Sequence, residues 1–244
     1  MKLNNKRTIL VGLAFLSICA FWQMYDSIVP LILTKTFHMN ETFSGAIMAA
    51  DNILALFLLP FFGSVSDKSH SKLGKRMPFI LFGTGCAIIL MNILPLLDNS
   101  YAAQPSGFKT ASFVIVLGLL LVAMGTYRAP AVALMPDVTP KPLRSRANAI
   151  INLMGAVGGI LYLGVAAVLY PNSKTAGLDH VNYQPLFIVV SAIMFVAVAV
   201  LFLTIREPKL TAENQALEKQ HPEWNLAQDG GSFGRGKRYF FKRS

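Results

Sequence analysis

The sequence predicts an all-α membrane protein with six transmembrane helices, and three observations carry that prediction. Of the 244 residues 54% are hydrophobic and only 14% charged, far too apolar for a soluble domain of this size. The apolar residues gather into six stretches, each long enough, at about 1.5 Å rise per residue, to cross a bilayer. The cations alternate: connections on one side hold one Lys each, and those on the other side hold several. The formal charge of +10 therefore reports membrane orientation, not nucleic-acid binding, because no continuous basic face carries it.

Taken in order, the spans are expected at 9–33, 44–65, 78–97, 111–135, 147–170 and 185–205. Lys2, Lys6 and Arg7 precede the first as in a signal peptide, but that stretch is too long and lacks a small-residue cleavage site, so it stays as a span. Connections 34–43, 98–110 and 171–184 are short and polar, with Lys35, Lys109 and Lys174 as their cations. The opposite side holds Lys68, Lys72, Lys75 and Arg76, then Lys141, Arg144 and Arg146, then the tail from Arg206. Both termini are therefore expected in the cytoplasm, with the chain a multi-pass protein of the cell membrane. Asn40-Glu41-Thr42 is a formal glycosylation sequon in a loop too short to be a good acceptor. Cys19 and Cys86 lie in apolar runs and match no disulfide or metal spacing.

Two units follow: a six-span body over 1–205 and a linker with tail over 206–244. Glu207-Pro208 is read as stopping the sixth helix, with a short surface helix around 212–219. The last residues, from Gly230, are Gly-rich, basic and aromatic. They read as a disordered end or as a segment lying on an anionic membrane. They resemble neither the linker nor a helix start, as a shifted reading frame would, and the chain is expected to be truncated.

A charge in the hydrocarbon region costs at least ~2.5–3.5 kcal/mol, so each one asks for a partner, a cavity or a function. Asp26, Asp51 and Arg128 qualify, and Asn52 adds polarity beside Asp51. Regular helices put both carboxylates at similar depth, where they can share a cavity, and Arg128 nearer the inner half. Structural readings stand beside these: Pro30 ending the first helix early would put Asp26 near water, and Arg128 would serve as a counter-ion. Trp22, Gln23 and Tyr25, just before Asp26, offer the stacking rings and amide that a sugar-binding surface needs, or equally a packing and interfacial belt. Gly155, Gly158, Gly159 and Gly164 give the fifth span small residues for close helix contact.

Between the second and third spans stands the densest polar run, Gly63 to Pro78, in which Asp67 faces Lys68, Lys72, Lys75 and Arg76. Gly63 suits a close helix approach, and one carboxylate among several cations reads as a latch; positive-inside anchoring is the plainer reading of the cations. Gly63, Asp67, Lys68 and Gly74-Lys75-Arg76 resemble the signature loop of major facilitator transporters. With Ser66, Ser71 and Pro78-Phe79-Ile80 the run more narrowly resembles the sucrose-transporter-like and glycoside–cation symporter branch. A second stretch is similar to the same branch: Tyr127-Arg128-Ala129-Pro130, then Asp137, then Arg144-Ser145-Arg146-Ala147-Asn148-Ala149.

The resemblance implies one half of a major facilitator fold: the N-terminal six spans of a proton-coupled sugar symporter for a glucoside or disaccharide, worked by alternating access. It implies that Arg128 is the membrane Arg of coupled transport, that Asp137 closes the fourth span, and that Asp67 with Lys75 and Arg76 forms the cytoplasmic gate. Melibiose-type members carry acidic residues before the Pro of the second span, where this chain has Ala55 and Leu59 ahead of Pro60, so a proton is favoured over sodium. No cofactor is implied. The partners are a sugar, the bilayer, and either a C-terminal six-span half or a second copy. Rival classes are a non-transporting six-span scaffold or receptor and an inactive truncated half. An enzyme finds no metal-ligand or nucleophile constellation to rest on.

Overall fold

The first helix is set by its flanks: Asn4 Oδ1 accepts from the Arg7 N–H at 3.1 Å, capping α1 (Asn5–Leu31). The computed structural model describes residues 3–224 except Ala176 and Asp179. Pro30 does not end α1. The chain instead loosens into a π turn at Ile32–Thr36, where the Thr34 hydroxyl donates to the Pro30 carbonyl at 2.8 Å. His38, at φ 52°, then reverses the path, and Asn40 Oδ1 accepts from the Thr42 N–H at 3.0 Å to start α2 (Glu41–Asp67). The sequon asparagine is thus an N-cap.

The remaining elements are α3 (Met77–Ala103), α4 (Gly107–Val138), a 3₁₀ turn (Lys141–Leu143) leading into α5 (Arg144–Leu169), the short α6 (Asn172–Thr175), α7 (Gln184–Thr204) and α8 (Glu207–Gln220). Among the described residues, six helices are long and apolar enough to cross a membrane, at the six places expected. They overrun the expected ends because hydropathy marks where the bilayer stops, whereas the helix stops only where its backbone bonding fails. Thus α3 runs through Asp98 to Ala103, and α4 carries Pro130 and Pro136 without breaking. Glu207-Pro208 is corrected from a stop to a start: α7 ends at Thr204, and Pro208 sits in the first turn of α8. The Gly-rich basic end lies outside the described residues.

α1 packs along α5 and α7, α4 packs along α3 and α2, and contact between α3 and α7 joins the two groups. Between them lies one core, built on Phe21, Met24, Tyr25, Met91, Tyr127 and Phe187. A Cβ on Gly158 would strike the Leu16 carbonyl, so this glycine sets the approach of α5 to α1. Gly155 meets Cys19 there, whereas Gly164 faces open space. The most apolar stretch of α1 is 61% buried and that of α2 is 0% buried, so α2 presents Ile53, Leu56, Phe57 and Phe61 outward.

Candidate functional site

Two polar groups stand out, one midway along the spans and one where α2 and α4 end and α3 begins. In the first, α4 is fixed in rotation by Tyr127, whose hydroxyl donates to the Ala14 carbonyl at 2.9 Å and lies 2.5 Å from Ser17 Oγ. With Tyr127 buried against α1, the next residue, Arg128, turns toward α2. Its guanidinium stands 5.5 Å from the centroid of the Trp22 ring. Trp22 meets Phe21 and Tyr25 edge-on, with centroids 5.3 and 5.4 Å apart. Trp22, Asp51, Leu54, Ala55, Leu58, Gly125 and Arg128 line one narrow cleft between α1, α2 and α4.

Most of the cleft lining is apolar, and its polar side chains form no hydrogen bond with one another among the described residues. Trp22 Nε1, Tyr25 Oη and Asp51 Oδ1 are buried atoms without a hydrogen-bond partner. Native interiors leave few such atoms, and several around one charged group mark a place for a ligand or water. Asp51 lies within electrostatic reach of Tyr25 and Asp26. Asp26, Gln23 and Asn52 are exposed on the flanking faces of α1 and α2. Of the expected residues, Trp22, Asp51 and Arg128 share the cleft, and Tyr25 packs on Trp22. Gln23, Asp26 and Asn52 stand outside it, and Arg128 forms no ion pair with either carboxylate among the described residues.

In the second group Arg76 is 6% exposed and every part of its guanidinium is engaged. Nε donates to Asp137 Oδ2 at 2.8 Å, Nη2 to Asp67 Oδ1, and Nη1 to Ser66 Oγ at 2.5 Å and to the Gly63 carbonyl at 3.4 Å. Burial opposes the charge, but hydrogen bonds and attraction from Asp137 and Asp67 outweigh it, so Arg76 is held above its ordinary pKa. One arginine thus ties the end of α2, the start of α3 and the end of α4. The backbone beneath it is held from a distant element. Glu207, 2% exposed, accepts from the N–H groups of Lys75 at 2.7 Å, Arg76 at 2.9 and 3.1 Å, and Met77 at 2.8 Å. An acidic side chain at the first turn of α3 satisfies its orphan donors and its dipole together.

Gly74 is left-handed at φ +113°, and a Cβ there would strike the Glu207 carboxylate, so both its conformation and its position require glycine. Arg144 donates to the Pro136 carbonyl at 2.9 Å, the Thr139 carbonyl at 3.1 Å and Glu218 Oε1 at 3.0 Å, fastening α4 to α8. Asn214, also buried, donates to the Asp137 carbonyl at 3.1 Å.

Several expected members stand elsewhere. Lys68, Lys75 and Arg146 direct exposed side chains to solvent, and Lys75 enters the cluster only through its N–H. The close helix approach expected at Gly63 is not seen, since a Cβ there would meet nothing within 4 Å. The carbonyl of Gly63 is what the site uses. The cap made by Glu207, the contact of Asn214 and the Tyr127–Ser17 pair were not anticipated, and Ser66, expected as part of the motif, proves to be a partner of the Arg76 guanidinium. Glu207 had one usable signal: an acid followed by Pro also marks a helix start.

The sequence profile described as Major Facilitator Superfamily matches residues 11–243. The chain is 35% identical over 158 residues to sucrose transport protein SUC3 of Arabidopsis thaliana, covering 60% of this chain and 26% of that protein. It is 36% identical over 154 residues to sucrose transport protein SUT3 of Oryza sativa subsp. indica, covering 57% and 30%. It is also 25% identical over 186 residues to solute carrier family 45 member 3 of Homo sapiens, covering 75% and 34%. The chain thus spans about a third or less of the length of these curated relatives.

Proposed function

We propose, for a chain that belongs to the Major Facilitator Superfamily, that its six spans are the N-terminal half of a proton-coupled sugar symporter of the cell membrane, with both termini in the cytoplasm. The observation that carries this is the cleft where Arg128, Asp51 and Trp22 meet midway along the spans with polar atoms unspent, beside exposed Gln23, Asp26 and Asn52. Lipid does not tolerate such a face, whereas a water-filled cavity with a second six-span unit across it does. The sucrose transport proteins among the relatives support a sugar, and a glucoside or disaccharide fits the Trp22 ring with carboxylates near it.

In this reading Asp51 takes the proton and, with Asp26, meets sugar hydroxyls. Arg128, held over Trp22, stabilises the ionised carboxylate when the two approach and releases it to protonation when substrate or helix movement separates them. A proton is favoured over sodium because Ala55 and Leu59, ahead of Pro60, bring no further carboxylate to the cleft. The Arg76 cluster closes the inner face while the cavity opens outward.

The test is reconstitution of residues 1–244 in liposomes, alone and with a C-terminal six-span half of a sucrose transporter, under an imposed proton gradient. Labelled sucrose or glucoside should accumulate with the second half present and leave on adding a protonophore. Accumulation by the chain alone would identify a second copy as the partner, and none in either case would sink the proposal. Asp51→Asn in the active assembly should abolish gradient-driven accumulation and leave counterflow exchange, because the amide keeps shape and loses titration. Accumulation at wild-type level would remove Asp51 from the mechanism.

A further inference from the structure

The end of α3 away from Arg76 carries a charge that this reading leaves unused. Asp98 is 0% exposed; neither carboxyl oxygen has a partner in full hydrogen-bond geometry, and the Thr36 hydroxyl stands close beside it. His180, in the connection between α5 and α7, places Nδ1 3.9 Å from Asp98 Oδ2 and 3.2 Å from Thr36 Oγ1 on the π turn. Its Nε2 lies 3.0 Å from Asn99 Oδ1.

The polarity of this chain of contacts follows from one fixed donor. The Gln184 N–H can only donate, so Asn182 Oδ1 accepts from it at 3.0 Å. The same oxygen accepts from Asn99 Nδ2 at 2.9 Å, which turns Asn99 Oδ1 toward His180 and obliges Nε2 to carry a hydrogen. Nδ1 is then the nitrogen that gains or loses a proton, and it is the one facing Asp98. Tyr183 before α7 faces Asp98, Tyr170 after α5 packs on Tyr183, Tyr101 on α3 packs on Phe37, and none of the three supplies a cation. Lys35 on the π turn is exposed, and Lys109 of α4 is bound to the Ser100 and Gln104 carbonyls at 2.8 and 2.9 Å. Among the described residues, His180 is the one cation-forming side chain within ion-pair distance of Asp98.

The geometry points to Asp98 and His180 as a shared proton-binding site that fastens the connection before α7 onto the π turn and α3, and frees it when the last proton leaves. With one proton, on Nδ1 or on the carboxyl, the pair is neutral and its two groups attract. When that proton passes to bulk water, a carboxylate is left buried against a neutral imidazole, and desolvation drives the connection open. A proton with two alternative sites is kept to higher pH than with either alone, because the microscopic binding constants add.

Hydrogen–deuterium exchange across a pH series, on the full chain in lipid nanodiscs and corrected for intrinsic exchange chemistry, tests the pair without sugar or gradient. Its failure is therefore distinguishable from failure of the transport reading. Protection of amides 180–184 should be highest while the pair holds its proton and fall on the order of tenfold as pH rises and the last proton leaves. The amides of Lys75 to Met77, at the other end of α3, should not change. Asp98→Asn should abolish the fall, and His180→Gln should move it to lower pH. ¹⁵N-histidine spectra of the wild-type chain above the pH of the fall, where the ring is neutral, should show the Nε2–H tautomer, a readout that needs no variant. Flat protection in the wild type, an unaltered fall in either variant, or an Nδ1–H tautomer would overturn the assignment.

Discussion

The two ends of α3 bury charge in opposite ways. At Arg76 a guanidinium meets two carboxylates, a hydroxyl and a carbonyl, while Glu207 accepts from the three N–H groups around it. At Asp98 a carboxylate just as buried has no hydrogen bond and one imidazole at 3.9 Å. A fully bonded charge has no low-energy alternative and holds its elements in one arrangement. An under-bonded charge beside a titratable group has two states of similar energy, separated by a proton. The first kind suits a clamp that only a large movement opens, and the second suits a contact that solution conditions release.

The contrast breaks most sharply at Arg76. Arg76→Ala leaves Asp67 and Asp137 facing each other without their cation, and should cost about 3 kcal/mol, at the lower end for a disrupted buried pair because Asp67 is 61% exposed. Unfolding by sodium dodecyl sulfate titration in mixed micelles measures it. A loss below ~1 kcal/mol would place the cluster among ordinary surface ion pairs.

Next is the cap beneath it. Glu207→Ala removes the acceptor of three N–H groups and should cost about 2 kcal/mol, with Glu207→Gln intermediate because one oxygen remains. Gly74→Ala should reproduce much of that loss, since it strains a backbone at φ +113° and displaces the same carboxylate. Faster hydrogen exchange confined to the amides of 75–77 would locate both effects.

At the other end Asp98→Asn should cost about 1 kcal/mol or less near neutral pH, because no hydrogen bond is lost with the charge. A loss as large as that of Arg76→Ala would erase the distinction between the two ends.

The six spans were legible because hydropathy over twenty residues outweighs local detail, and the small residues of α5 because Gly155 and Gly158 stand one turn apart. The group near Arg128 was legible because charge in hydrocarbon is rare. What stayed hidden depends on contacts between residues far apart in sequence. Glu207 lies about 130 positions from the N–H groups that it caps, and Tyr127 more than a hundred from Ser17. Asp98 was assigned to a loop because polarity there was read as the end of the helix, when it marked only the end of the apolar stretch.

Lys75 and Arg76 give the smallest and most pointed test, because the sequence pattern treats the two cations alike. Lys75 is exposed and contributes its N–H, whereas the Arg76 side chain is 7% exposed and carries the cluster. The alternation follows from the turn at Gly74, which sends consecutive side chains to opposite sides just before α3 begins. Lys75→Ala keeps the N–H donor and removes only a solvated charge, so its unfolding free energy should lie within about 0.5 kcal/mol of the wild type. A double-mutant cycle of Lys75→Ala with Asp67→Asn should show coupling below that same figure, against a clear coupling of Arg76→Ala with Asp67→Asn. Strong coupling of Lys75 to Asp67 would mean that the two cations share the carboxylate in solution, and that the clamp has two interchangeable forms.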